Sequence, residues 1–468
     1  MENDFTFGIW SLLPLVIALI IAFRTRSATF ALMVGCITGV VMAGFDPATG
    51  FNHLAQEALG DGEFIWICII IFFIGILFEF YKFAGVFSEF TRRVSVRFKS
   101  KKGVSFSAWL MGMFIIDDYF SPLMSGMVMR PLTDKVRISR EKLAYILDST
   151  TAAACVIFPF SAWGAYISGL TAEQGGAAGD ISVAFTVFLN SIPYNFYSIL
   201  TILFALGIAL KIIPDFGPMR KAEKRSRETG KVIRDGATPL ITEESESIKK
   251  IEARGRVNLF TDLVIPLAII IGIGTSTIII LGSVKIAEAF IAAVIYMSVL
   301  MFLTRRLKNI GELMSIVYGG IKNVMPAIII IALAFCLNAV TVSLGTSAFI
   351  IDISEGWLTP TLLVAATFFF TSVIAFSTGS SWGAYAIMIP FTLPIAYSFT
   401  GGAIEPLIYK CVGAVAGGGI FGDHSSPVSD TSVLSSAGAG SDHMDHVITQ
   451  LPYALVIGGA TIVLYLVV

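Results

Sequence analysis

The chain has 468 residues, 55% of them hydrophobic and only 14% charged, with a formal net charge of −1. A soluble protein of this size cannot hide so much apolar surface in one or two cores, so the composition excludes a water-soluble globular class and points to solvation by lipid. Most charges sit in loops between apolar runs, so the near-zero net charge carries no sign of a charged partner, and no nucleic-acid partner is expected.

Apolar stretches recur along the chain, many of them about 20 residues long, enough to cross a hydrocarbon core of about 30 Å. Examples are Gly8–Phe23, Phe64–Phe80, Phe260–Leu281, Ile286–Leu303 and Val447–Val468. The first is long for a signal peptide's apolar core and lacks a basic segment before it and a small-residue cleavage site, so it is expected to be retained as a span. Arg24 and Arg26 follow it, whereas the loop Asp46–Glu63 is acidic and contains no Lys or Arg. The next loop is dense in Arg92, Arg93, Arg97, Lys99, Lys101 and Lys102. The positive-inside rule then puts the N-terminus outside and the end of the third span in the cytoplasm. Glu79 and Lys82 lie one helical turn apart, within reach of each other, and are weaker leads than the polar clusters further along the chain.

The largely apolar segment Gly103–Met129 is followed by Arg130, Lys135, Arg137, Arg140 and Lys142, so both of its flanks read as cytoplasmic. A re-entrant hairpin over about 103–130 satisfies both, with a polar break at Asp117-Asp118-Tyr119-Phe120-Ser121-Pro122 that lipid would not tolerate. A span over Leu143–Leu170 then leads outward, and one over Val183–Ile212 returns. The charged stretch 214–258, poor in aromatics, reads as a flexible cytoplasmic linker.

The second half repeats the plan upside down. Two spans lead to Arg305, Arg306 and Lys308, and a third reaches the outside near Asp352 and Glu355. Thr359–Thr400 contains no Lys, Arg, Asp or Glu and breaks at Ser377-Thr378-Gly379-Ser380-Ser381, which predicts a second hairpin over about 359–400. Pro131 pairs with Pro390, and Ile192-Pro193-Tyr194 with Leu451-Pro452-Tyr453, at one constant offset. The expected fold is therefore an all-α polytopic membrane protein of two inverted repeats, 1–213 and 259–468. Each holds about five spans plus one re-entrant hairpin, the odd span number that inversion requires.

Ionisable residues at membrane depth are costly and need a partner or a function. Asp117 and Asp118, with Ser121, sit at the first hairpin's break, either in an ion site or capping the returning arm. Asp148-Ser149-Thr150-Thr151 puts a carboxylate beside hydroxyls, an all-oxygen setting for a hard cation, or else a Ser/Thr-rich packing face. Gly417-Gly418-Gly419-Ile420-Phe421-Gly422-Asp423-His424-Ser425-Ser426-Pro427-Val428-Ser429-Asp430-Thr431 gathers two carboxylates and several hydroxyls. Its glycines permit close approach or unwinding, and Pro427 stops a helix from running through. Asp442-His443-Met444-Asp445-His446, before the last span, reads as a polar helix end with a pH-sensing or ion-pathway role, or as metal ligands together with His424. Trp163 and Trp382, each followed by Gly-Ala-Tyr, line a cavity or pack. Cys36, Cys68, Cys155, Cys336 and Cys411 share no ligand spacing and read as packing residues.

The run Gly422–Thr431, then Ser435-Ser436-Ala437-Gly438-Ala439-Gly440-Ser441-Asp442-His443-Met444-Asp445-His446-Val447 and Thr449-Gln450-Leu451-Pro452-Tyr453, resembles the signature of the NhaC family of Na⁺/H⁺ antiporters. Asp117-Asp118-Tyr119, Asp148-Ser149-Thr150 and Ser381-Trp382-Gly383 also resemble its pattern. The resemblance covers nearly the whole membrane region and leaves out the linker. It implies ion-coupled antiport on a fold with two opposed hairpins, within the broader ion-transporter superfamily. Families similar to it also exchange malate and lactate, carry amino acids, or export tetracycline, and the shared signature does not separate these cargoes.

The expected function is Na⁺/H⁺ antiport in a bacterial inner membrane, with Na⁺ and H⁺ as the transported or coupling ions, no cofactor and no transition metal. Asp148, Asp423 and Asp430 are expected to bind cation and proton, with Asp117 or Asp118 contributing. Ser149, Thr150, Ser426 and Ser429 would complete an oxygen cage. Ser121, Trp163, Thr378, Ser380, Ser381, Trp382 and His424 are assigned to the substrate pathway, and Asp442, His443, Asp445 and His446 to pH response or the pathway. The expected partners are the lipid bilayer and a second copy in a homodimer. No Walker motif is present, so no ATPase subunit is expected. The rivals are antiport of an organic molecule, an ion channel and, more remotely, an intramembrane metalloenzyme using the His/Asp clusters.

Overall fold

The computed structural model describes residues 7–25, 28–60, 62–86, 89, 93, 100–114, 118, 120–159, 161–239, 257–281, 285–346, 349, 358–427 and 429–468. Its regular structure is helical throughout the described residues. In the first half α1 (Leu13–Thr25), α2 (Ala28–Met42), α3 (Pro47–Leu59) and α4 (Gly62–Ala84) come first. The acidic loop of the sequence reading is thus largely a helix. Asp46 starts α3 by accepting from the amides of Ala48 and Thr49, both at 3.0 Å, with Pro47 at the first helical position. Glu79 and Lys82 pair at 3.4 Å.

Next come α5 (Lys101–Phe114) and α6 (Phe120–Lys135), the two arms at the expected first hairpin, which pack on each other. The expected span 143–170 is broken into α7 (Arg140–Ile157) and α8 (Ala162–Ala172), bent by 50°. Pro159 cannot continue the amide ladder, and Ser161 restarts the helix by accepting from the Gly164 amide at 3.1 Å. The return span is likewise α9 (Ile181–Ser191) and α10 (Phe196–Ala209), bent by 46° around Pro193.

The stretch read as a flexible linker begins as ordered structure. α11 (Gly217–Thr229) lies against α7 and the last helix, with Met219 and Ala222 buried. Residues 240–256 lie outside the described residues.

The second half contains α12 (Ile265–Leu281), α13 (Ile286–Leu303), α14 (Ile310–Ser343), α15 (Pro360–Thr378) and α16 (Ser381–Phe399). They are followed by α17 (Pro406–Ser425), α18 (Asp430–Ala439) and α19 (His443–Val467). α15 and α16 meet at Gly379, whose φ of 68° suits a residue without Cβ. Each of these arms has the length and apolarity of a full span, more than a hairpin turning at mid-depth requires.

Among the described residues, four single helices are long and apolar enough to cross a hydrocarbon core, and three bent pairs raise the number to seven. Four shorter apolar helices, Gly8–Ala18, Phe260–Gly274, Ala287–Leu303 and Ile331–Ser343, occupy further stretches that the sequence reading counts among about five spans per half. The outer surface exposes large apolar side chains such as Leu203, Val299, Phe370, Leu455 and Val463, as a lipid-facing body does. The polar residues Asp148, Thr150, Asp423, His424, Ser429, Ser432, Ser435, His446 and Gln450 are buried instead.

Glycine brings the helices around these polar residues together. At Gly422 a Cβ would fall 2.3 Å from the Phe376 amide nitrogen on α15, and at Gly413 one would fall 2.9 Å from the Ser191 carbonyl oxygen. α17 stays helical through Gly417-Gly418-Gly419, so these glycines serve close approach, and the helix ends later, at Ser426 and Pro427.

Candidate functional site

Two buried carboxylates lie on either side of α18. Asp148, on α7, is 1% exposed, and Asp423, near the end of α17, is 4% exposed. Ser429 caps α18 and donates its hydroxyl to Asp423 Oδ1, while Thr431 Oγ1 stands 3.4 Å from the same oxygen. Ser381, the first residue of α16, donates to Asp423 Oδ2 at 2.6 Å. The same short helix turns Ser432 and Ser435 towards Asp148, at 3.1 Å and 3.2 Å. From α19, His446 Nε2 stands 3.1 Å from Asp148 Oδ2, and the Gln450 amide donates to that oxygen at 3.0 Å.

The two centres touch through His424. Its carbonyl oxygen accepts from Gln450 Nε2 and stands 3.0 Å from Ser432 Oγ, and its Nε2 lies 2.5 Å from the Tyr197 hydroxyl on α10. Ser432 has one proton and two acceptors in reach, Asp148 and the His424 carbonyl. The arrangement combines two desolvated carboxylates, hydroxyls that can donate or accept, and an imidazole beside one carboxylate.

Several expected site residues fall elsewhere. Thr150 turns its hydroxyl back to the Ile146 carbonyl at 2.6 Å and packs against Gly112 of α5, so it forms no cage with Asp148. Ser149 is buried one turn along from Tyr145 on the same helix, its hydroxyl near that of Tyr145. Ser426, by contrast, lies buried at the break beside Asp423, its amide donating to the Asp423 carbonyl at 3.3 Å. Thr378 bonds back to the Ile374 carbonyl at 2.9 Å, and Ser380 caps α16 through the Gly383 amide at 3.3 Å. Trp163 and Trp382 stack on each other with ring centroids 4.0 Å apart, next to Tyr166 and Tyr385, so they are packing residues of the α8–α16 contact.

The last polar cluster was read as a helix end, yet it divides. Asp442 caps α19 and accepts from Thr238, Asp445 pairs with Arg234 at 2.9 Å, and both serve the ordered start of the linker. His443 reaches the Pro427 carbonyl at 2.8 Å. His446 is fully buried on Asp148, because one further turn carries α19 inward. Asp118 and Ser121 are buried at the first hairpin's break, while Asp117 and the side chain of Asp430 lie outside the described residues.

Sequence reasoning gave no role to Ser432, Ser435, Gln450 or Tyr197. Gln450 stands four residues after His446, on the same helix face, and that spacing was available as a signal. Tyr197 sits in an apolar stretch and left none.

An all-helical body with an apolar surface, holding buried carboxylates among interrupted helices, defines a multi-pass membrane protein of the transporter class. The fold is similar to the crystal structure of the Alcanivorax borkumensis YdaH transporter, with a TM-score of 0.56 and 16% identity, over 90% of this chain and 88% of that one. Residues 154–468 match the Na⁺/H⁺ antiporter family, and the chain belongs to it. An uncharacterized protein of Haemophilus influenzae is 32% identical over 99% of this chain and 92% of its own length. The Malate-2H⁺/Na⁺-lactate antiporter of Bacillus subtilis is 27% identical over 34% of this chain and 32% of its own.

Proposed function

We propose that this chain is a secondary antiporter exchanging Na⁺ for H⁺ across a bacterial inner membrane. The observation that carries the reading is the pair Asp148 and Asp423, both buried and both engaged by the same short helix. A carboxylate taken out of water needs a counter-charge, which a proton or a cation supplies. Exchange follows when binding one disfavours the other, with no need of ATP. In this reading the two halves are inverted repeats whose paired helices at 101–135 and 360–399 approach the site from opposite sides. The linker is cytoplasmic, and two copies form a homodimeric scaffold. Asp117, Asp118 and Asp430 remain candidate contributors to the ion path.

The test is proton flux in proteoliposomes holding an internal pH step, with Na⁺, Li⁺ or K⁺ added outside. Na⁺ is expected to collapse the gradient in the wild type. Asp148→Asn and Asp423→Asn should insert normally and lower exchange by about 100-fold or more, as losing a charged group at its point of action does. Wild-type rates in both variants would refute the assignment.

A second reading, antiport of an organic molecule, draws on the relative named for malate and lactate exchange. It predicts that no inorganic cation alone collapses the gradient and that malate, lactate, an amino acid or tetracycline does.

A further inference from the structure

We infer that the two carboxylates divide the work, Asp423 holding the cation and Asp148 with His446 carrying the proton. The inference rests on the antiport reading above and deepens it, since that reading alone allows both ions to compete for the same group.

The donor chemistry of the two centres differs. The side chains described around Asp423 are the hydroxyls of Ser381, Ser429 and Thr431, with Ser429 Oγ and Thr431 Oγ1 3.0 Å apart. A hydroxyl that donates to a bare carboxylate can rotate and turn its lone pairs to a cation instead, and hard cations take oxygen ligands. Asp148 also has hydroxyls, those of Ser432 and Ser435, but its Oδ2 faces in addition two nitrogen groups that have no such reverse. The Gln450 amide nitrogen donates only, and its orientation is held because it also serves the His424 carbonyl. A cation at Asp148 Oδ2 would face that amide and the His446 ring.

His446 supplies what a proton centre needs. It is fully buried, its Nε2 faces Asp148, and its Nδ1 has no partner among the described residues. A carboxylate and an imidazole in contact share one proton between them without a change of ligands. The titratable groups facing Asp148 are His446 on α19, His424 on α17 and Tyr197 on α10.

The centres are distinct but mechanically joined. α18 carries Ser429 and Thr431 to one carboxylate and Ser432 and Ser435 to the other. When Asp148 takes up a proton, its O–H can donate to Ser432, whose own proton turns to the His424 carbonyl. Gln450 loses charge at its acceptor in the same step. Both changes fall on α18 and on the residue next to Asp423, so cation and proton exclude one another without sharing an oxygen.

The test is Na⁺ binding by the purified full-length protein in detergent, followed by calorimetry between pH 6.5 and 8.5. In the wild type the apparent affinity should fall by up to about tenfold per pH unit on the acid side, the linkage slope of one proton against one cation. Asp423→Asn should lose Na⁺ binding at every pH. Asp148→Asn should bind Na⁺ at pH 8.5 within about threefold of the wild type and lose the pH dependence, since linkage vanishes with the titrating group. His446→Gln, a second variant in case Asp148→Asn does not fold, should bind Na⁺ with a displaced or flattened pH dependence. Loss of Na⁺ binding in folded Asp148→Asn, the wild-type slope retained in Asp148→Asn, or a pH dependence neither displaced nor flattened in His446→Gln, overturns the division of labour alone. A folded wild type that binds no Na⁺ overturns the antiport reading itself.

Discussion

Gly422 and Gly459 show how one residue type does opposite things in this protein. At Gly422 an added Cβ would meet the Phe376 amide at 2.3 Å and Ala375 Cβ at 2.4 Å, whereas at Gly459 nothing lies within 4 Å. Gly422→Ala must therefore push α17 off α15, one residue from Asp423, at a cost of about 1–3 kcal/mol. Gly459→Ala sits inside a helix with open space around it and should be neutral or stabilise by up to about 1 kcal/mol. Thermal unfolding of the two variants in the same detergent checks both signs, and equal shifts would refute the packing account. The sequence showed that the glycine-rich run before Asp423 permits close packing or unwinding, but packing geometry alone separates the two.

The ordered start of the linker is the element that changed most between sequence and structure. Its charges suggest a solvated connector, yet Asp215, Glu223, Arg225 and Arg234 are paired with groups on the helix ends around it. Arg225 pairs with buried Glu141 at 2.9 Å, and Lys101 pairs with Glu223 at 3.0 Å. Glu223 also accepts from the Ser139 amide at 2.7 Å, and Lys142 holds Asp215 at 2.8 Å. Arg225→Ala leaves Glu141 buried without its cation and should cost about 2 kcal/mol. Hydrogen exchange across 217–239 is expected to speed up in that variant, and unchanged exchange would contradict the docking. Burial alone would push the Glu223 carboxyl up, but Lys142, the Ser139 amide and Lys101 hold it below its ordinary range. A depressed acid stabilises the docked state above its unfolded value and stops doing so as pH falls through the lowered folded one. The segment should stay docked at neutral pH and loosen only in acid, below about pH 4.3, which the same exchange measurement reads.

At the scale of the whole molecule, the order of elements repeats. A helix pair, a helix interrupted before its end and a long closing segment occur at 101–209 and again at 360–467. If the halves are inverted in the membrane, the α8–α9 turn near Gly176 and its counterpart between α18 and α19, onto which the segment after Glu228 docks through Asp442 and Asp445, face opposite compartments. A cysteine at Glu228 should react with a membrane-impermeant thiol reagent only from the cytoplasmic side, and one at Gly176 only from the other. Labelling of both from one side would refute the inverted topology.

Composition and the spacing of charges were enough to establish a lipid-solvated helical chain, because the cost of burying charge in hydrocarbon acts on every residue independently of its neighbours in space. The motif around Asp423 could be picked out for a related reason. Carboxylates, hydroxyls, glycines and a proline packed into one apolar stretch have few uses there. Pairing is different in kind. Asp148 meets Ser432, Ser435, His446 and Gln450 across about 300 residues of chain, through helices that break at Pro159 and Pro427 and change direction. Which hydroxyl faces a carboxylate and which turns back on its own helix, as Thr150 does, depends on the rotation of each helix about its axis. Close contacts such as Gly422 against Phe376 set that rotation, and they exist only once the chain has packed.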